Sequence, residues 1–227
     1  MFFHPLDILI IPLFGLSLWA SFRVKSTFNR WSEVPTSTGI TGYEAARRML
    51  DANGLYEVAI EPIQGRLTDH YDPTTRIIRL SEPVYYDASI AAVAVACHEV
   101  GHAIQHKVHY PMLVARHNFF PIVRLTSGVA PLLIMAGFFF QQFNFLLGLG
   151  IIFFSASVLF QLVTLPVEFN ASSRARGVMV QMGFIHNQEQ EGVGKVLNAA
   201  ALTYVAAALI SVMELLKYIL IFTGRRE

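Results

Sequence analysis

LTSGVAPLLIMAGFFFQQFNFLLGLGIIFFSASVLFQLVTLPV, from Leu125 to Val167, holds no Asp, Glu, Lys or Arg in 43 residues. A helix that crosses a bilayer needs about 20 apolar residues, so the run has room for two. Its only polar cluster is Gln141-Gln142-Phe143-Asn144. A short polar turn between two long apolar runs predicts a helical hairpin across the membrane, with spans near 124–140 and 145–166. A helix apolar on every side needs lipid or a very large core around it.

Outward from this run the composition agrees. The chain has 227 residues, 54% of them hydrophobic and 15% charged, against about a quarter charged in soluble domains. Its mean hydropathy is +0.47. Phe2 to Phe22 is apolar except for His4 and Asp7 and is followed by Arg23, Lys25 and Arg30. No basic residue precedes it and no small-residue cleavage site closes it, so residues 1–22 read as an uncleaved anchor rather than a signal peptide. Val196 to Met213 carries no charge, and apolar character resumes after Glu214 and Lys217. The segment 196–227 is therefore expected to cross the membrane or lie in its interface. The fold expected is a mainly α integral membrane protein with about four transmembrane helices and a small α+β region.

Lys and Arg set the orientation. Arg23, Lys25, Arg30, Lys107, Arg116 and Arg124 flank the segment between the first two spans, and Arg174 and Arg176 follow the third, while the 141–144 turn has none. Cytoplasmic loops are the ones enriched in these residues, so 23–123 and 167–195 are expected on that side. Arg225 and Arg226 fit this scheme poorly if the last helix spans. A net charge of +1 gives no basic field of the kind that holds nucleic acid. A single cysteine, Cys97, excludes an internal disulfide framework and any Cys-rich zinc site. A metal here must be held by His and carboxylates.

Residues 23–123 have ordinary mixed composition and read as a folded region. Thr41-Gly42-Tyr43-Glu44 has capping-box spacing and Asn53-Gly54 supplies a stop, which predicts a helix over 42–53. Val58 to Ile63, Arg66 to His70 and Arg76 to Leu80 are short β-rich runs separated by Gly65 and Asp72-Pro73, a pattern of small antiparallel strands. Asp87 or Ser89 then caps a long Ala-rich helix that runs to about Val108 and stops before Pro111.

That helix contains His98-Glu99-Val100-Gly101-His102, the HExxH spacing of zinc hydrolases. Residues four apart share one helix face about 6 Å apart, so both imidazoles can converge on one ion. Glu99 sits a step around, where it can act as general base on a water rather than as a ligand. Two histidines and a carboxylate in an apolar helix would cost several kcal/mol in desolvation without a metal or a full set of partners. A catalytic zinc needs a third protein ligand. His106 is rejected, because it stands about 12 Å along the axis from His98. His70, His109, His117 and His186 have no spacing argument. Glu168 is better placed, a lone carboxylate ending the apolar run on the same expected face of the membrane as the HExxH helix.

The run Gly65 to Pro73, the strand Arg76 to Ser81, the stretch Ser89 to His106 ending in HEVGHAIQH, and Pro166 to Ala175 together resemble the YugP-type family of neutral zinc metallopeptidases of bacterial membranes. The resemblance covers nearly the whole chain, including Thr41 to Leu55. More distantly the layout is similar to HtpX-type and CAAX-prenyl-type membrane proteases, in which a downstream Glu in an E-F-x-A motif completes the HExxH ligand set. Here that motif is Glu168-Phe169-Asn170-Ala171. These relatives place an Asp just after it where this chain has Ser172, so the resemblance leaves the supporting carboxylate absent or replaced by Asn170. It also implies a zincin-like cytoplasmic region in which an edge strand before the HExxH helix, here Arg76 to Leu80, aligns an extended peptide by backbone hydrogen bonds. Arg174 is the candidate for stabilising the oxyanion, since a cation aimed at developing charge is worth several kcal/mol.

The expected function is a zinc-dependent endopeptidase of the bacterial plasma membrane, with Zn²⁺ on His98, His102 and Glu168 and Glu99 as base. Its partners would be membrane lipid and a peptide or membrane-protein substrate. A site-2-type protease would need a later membrane Asp as ligand, and no Asp follows Asp87. A non-proteolytic membrane binding protein or chaperone that keeps zinc for structure is the alternative from another class. Glu99 argues against it, because a structural site has no use for a base beside its ligands. Cys97 points about 100° away from His98 on the helix and reads as a packing residue.

Overall fold

The structure is a computed structural model that describes residues 7–224. Helix α1 covers Asp7–Ser32 and α2 Gly42–Ala52. Strands β1 (Ala59–Ile63), β2 (His70–Asp72) and β3 (Ile77–Ser81) follow, then α3 (Glu82–Tyr86) and α4 (Ile90–Lys107). Helix α5 runs Pro111–Phe139, a 3₁₀ turn covers Gln141–Phe143, α6 runs Asn144–Gln181 and α7 Gln190–Gly224. Two compact units result. One holds the chain up to Ala20, Pro111–Pro166 and the chain from Thr203; the other holds Ser21–Tyr110 and Val167–Leu202.

In the first unit the expected hairpin is present. Helices α5 and α6 pack closely because Gly137 has no side chain: a Cβ there would lie 2.5 Å from the backbone nitrogen of Leu147. Ile134, Leu147 and Ile151 form its buried centre, flanked by Phe138, Phe154 and Tyr218. Leu125, Phe139, Phe145 and Ile152 are largely exposed, as apolar side chains are when lipid rather than water is the solvent.

Among the described residues three helices are long and apolar enough to cross a membrane, α5, α6 and α7, rather than the four expected. The expected anchor is the one missing. Its first six residues lie outside the described residues, and the charge-free run in α1, Ile8 to Phe22, is 15 residues long, short of the 20 or so a span needs. Arg23, Lys25 and Arg30 continue the same helix instead of following it. Arg225 and Arg226 lie outside the described residues.

The second unit is built on α2, α4 and the sheet. Thr41 Oγ1 accepts from Glu44 N–H, and Glu44 accepts in return from Thr41 N–H, closing the expected capping box of α2. Arg47 ties off the far end by donating to the carbonyls of Leu55 and Val58. Met49, Leu50, Ile78, Leu80, Val84, Val93 and Val100 are fully buried together, each such side chain contributing about 1.5–3 kcal/mol.

The sheet corrects two expectations. It is mixed, not antiparallel: β1 pairs parallel with β3 from Ala59 opposite Ile77 to Ile63 opposite Ser81, and β2 pairs antiparallel on the other side. The order β1-β3-β2 also places β3 in the centre. The strand expected at the edge, Arg76 to Leu80, therefore has backbone partners on both sides, because the chain from 64 to 76 carries β2 past β3 rather than back onto β1. The turns that do this use left-handed backbone at Leu67 (φ 58°) and Arg76 (φ 56°).

Candidate metal centre

Helix α4 begins where Ser89 Oγ accepts the N–H of Ala92. It presents His98 and His102 on one face, their ring centroids 4.8 Å apart. The third group arrives from α6. A Cβ on Gly101 would lie 2.6 Å from the carbonyl oxygen of Ala171, so the glycine inside the HEVGH run is what allows the α6 backbone to touch α4. One turn before that contact, Glu168 projects its carboxylate between the two imidazoles. Its Oε2 is 3.3 Å from His98 Nε2 and 3.6 Å from His102 Nε2. One donor atom from each residue lies within 4.8 Å of the other two.

These distances test the fit to zinc. Ligand bonds of 2.0–2.2 Å in tetrahedral geometry place neighbouring donor atoms about 3.3–3.6 Å apart. The two carboxylate–imidazole separations match. The donor set, two imidazole nitrogens and one carboxylate oxygen, is also one zinc takes in hydrolytic sites. Side-chain exposures of 15%, 12% and 5% for His98, His102 and Glu168 leave the three groups nearly out of water, where an uncompensated carboxylate is costly.

The neighbouring charges are also buried. Burial alone would lower the pKa of His102, but the hydrogen bond and charge of Glu168, with Glu99 behind, raise it above the ordinary histidine value. Glu99 is itself buried. Asp69 accepts from both the backbone N–H and the hydroxyl of Ser81. Burial pushes its carboxyl above the usual range, the Ser81 bonds oppose this, and the negative charge of Glu99 adds to it. The two carboxylates are thus close enough for their charges to act on one another, and that of Glu99 also acts on His102.

Each imidazole has a partner on its other nitrogen. Ser172 Oγ lies 3.1 Å from His98 Nδ1. Gln105 Oε1 lies 3.0 Å from His102 Nδ1. The Gln105 amide nitrogen donates to the Val167 carbonyl (2.8 Å) and to Asn170 Oδ1 (3.0 Å), which also accepts from Arg174 Nε at 2.7 Å. Asn170 does not reach an imidazole directly among these bonds; it supports Gln105. Sequence reasoning missed Gln105 and Ser172. The signal for Gln105 was available, since three residues after His102 is the same helix face.

The remaining candidates are elsewhere. His106 is hydrogen-bonded to the Tyr71 hydroxyl at 2.8 Å, and His70 Nδ1 lies 2.8 Å from the Thr68 carbonyl. Among the described residues His109, His117 and His186 join no metal-binding group. Cys97 is fully buried, and burial pushes its thiol pKa up.

Residues 6–223 match the family described as "Putative neutral zinc metallopeptidase", and the chain belongs to that family. A relative from Bacillus subtilis (strain 168), named "Putative membrane protease YugP", is 61% identical over 219 residues, covering 96% of this chain and 97% of that protein. No solved structure matches the chain.

Proposed function

We propose that the protein is a membrane-embedded endopeptidase that depends on zinc held by His98, His102 and Glu168. The observation that carries this reading is the spacing of Glu168 Oε2 from the two imidazole nitrogens, 3.3 and 3.6 Å, which suits a tetrahedral ion. When bound, zinc polarises a peptide carbonyl and makes water acidic enough to serve as nucleophile near neutral pH. Glu99 takes the proton from the attacking water and returns it to the leaving amine. Arg174 is the cation proposed to meet the developing oxyanion, with guanidinium nitrogens other than the Nε committed to Asn170.

For an extended peptide the edge to use is β2, not β3. Tyr71 on β2 is hydrogen-bonded to His106 on α4, so β2 is the strand that borders the HExxH helix. A peptide added there would gain backbone hydrogen bonds independent of its side chains. The Lys and Arg pattern supports placing this region at the cytoplasmic face of a bacterial plasma membrane.

Zinc content and peptidase activity of the detergent-purified protein test the reading, compared with Glu99→Gln. The variant should keep its zinc and lose about 10²–10⁴-fold in turnover. Full activity in Glu99→Gln would favour a zinc-containing membrane binding protein or chaperone instead.

A further inference from the structure

Four side chains in the second unit form a chain of hydrogen bonds whose polarity is fixed at one end. Arg174 Nε–H can only donate. The Asn170 amide must therefore present its oxygen to it, at 2.7 Å. That same Oδ1 lies 3.0 Å from the Gln105 side chain, so Gln105 must present its NH₂ there, and the second N–H of that group donates to the Val167 carbonyl at 2.8 Å. The Gln105 oxygen is left facing His102 Nδ1 at 3.0 Å. An amide oxygen only accepts, so Nδ1 carries a hydrogen, and in the neutral, metal-binding form of the ring the lone pair is on Nε2, the atom 3.6 Å from Glu168 Oε2. Gln105 is 0% exposed, so an inverted amide would put its oxygen against two acceptors, the Val167 carbonyl and Asn170 Oδ1, with no solvent to relieve the clash.

We infer that Gln105 is a positioning residue that selects the His102 tautomer able to bind the metal through Nε2, and that Arg174 acts at a distance by setting the sense of the Asn170–Gln105 relay. This deepens the zinc reading above and rests on it. Outer partners of this kind are worth about 10–100-fold in metal affinity. The role differs from oxyanion stabilisation by Arg174, which would alter turnover and leave zinc affinity alone.

The test is zinc affinity of the full-length protein in detergent, by competition with a chromophoric chelator, together with the visible absorption of the cobalt-substituted protein. Gln105→Met should bind zinc about 10–100-fold more weakly and shift the cobalt bands. Arg174→Met should move both readings in the same direction. Asn170→Asp keeps an acceptor for both Gln105 and Arg174 and should stay close to the wild type in both. If Gln105→Met does not fold, Arg174→Met and Asn170→Asp carry the comparison. Wild-type affinity and unchanged cobalt bands in Gln105→Met, or in Arg174→Met alongside lost turnover, would overturn the inference for that residue, as would an Asn170→Asp protein that binds as weakly as Gln105→Met. A wild-type protein that binds no zinc, or a Glu168→Gln protein that binds it undiminished, would overturn the zinc reading instead.

Discussion

Gly101 and Ala171 meet backbone to backbone: a Cβ on the glycine would stand 2.6 Å from the alanine carbonyl oxygen and 3.1 Å from its Cα. Real side-chain carbons do not approach that closely, so the distance between the two helices is set by the absence of a methyl group. Gly101→Ala should force the helices apart and draw Glu168 away from the imidazoles. Overpacking of this kind costs about 1–3 kcal/mol. The expected result is a lower unfolding temperature and weaker zinc binding together, read by thermal denaturation and chelator competition. Zinc affinity preserved at a lowered unfolding temperature would show that the ligand spacing does not depend on this contact.

Glu168→Gln removes a charged donor while keeping the shape. Zinc binding should fall by more than the 10–100-fold typical of outer partners, and peptidase activity with it. The distinction from Glu99→Gln is the point of the pair, since a ligand and a base fail differently. Equal zinc retention in the two proteins would remove Glu168 from the ligand set.

How much of this was readable beforehand divides along physical lines. Local signals succeeded: the Thr41 capping box, the N-cap of α4, which the sequence leaves between Asp87 and Ser89 and the structure gives to Ser89, and the polar turn at 141–144 all act within a few residues of themselves. Pairings across the chain were less legible. β1 joins β3 in parallel because β2 passes to the far side, and nothing in the alternation of Ile78 and Leu80 records which neighbours will flank them. The left-handed turns at Leu67 and Arg76 were invisible for a related reason, neither position being glycine. The HExxH helix ends at Lys107 with Val108 as its cap, before Pro111 as the sequence indicates, and Pro111 also opens α5, a place where its missing N–H costs nothing. Gln105 shows a different limit, since its helical spacing from His102 was available but its partners Val167 and Asn170 lie more than sixty residues on.

Glu189 gives a prediction in pH. Its carboxylate accepts from the Ser37 N–H at 2.7 Å, the Ser37 hydroxyl at 2.9 Å and the His186 N–H at 2.6 Å, joining two loops. Burial alone would raise its pKa, but these hydrogen bonds from His186 and Ser37 hold it below the ordinary carboxylate range. A depressed folded-state pKa means that the contribution to stability is present above the unfolded value and is lost as pH falls through the folded one. Glu189→Gln should therefore destabilise the protein by about 1–3 kcal/mol near neutral pH, and the gap from wild type should close on acidification below about pH 4. Unfolding curves in detergent across pH 3–7 measure it, and a constant gap would disconnect Glu189 ionisation from stability.

Sidedness can be measured directly. Arg66 and Gln188 are exposed in the second unit, and Cys97 is fully buried. In a Cys97→Ala background, Arg66→Cys and Gln188→Cys should both resist an impermeant thiol reagent in intact cells and react once the membrane is opened. Labelling of both from outside would place the proposed site on the opposite face, and labelling of one alone would mean that the number of crossings between them is odd.

His98 and His102 are made 70 and 66 residues before Glu168, and the hairpin lies between them and it in the chain. A polypeptide still emerging from the ribosome thus carries two of the three proposed donors and the base Glu99, but no complete site. Only when α6 has been synthesised beyond its apolar run can the third donor join them. The order of residues along the chain thus leaves the proposed ligand set incomplete until the last of its three residues, Glu168, has been made.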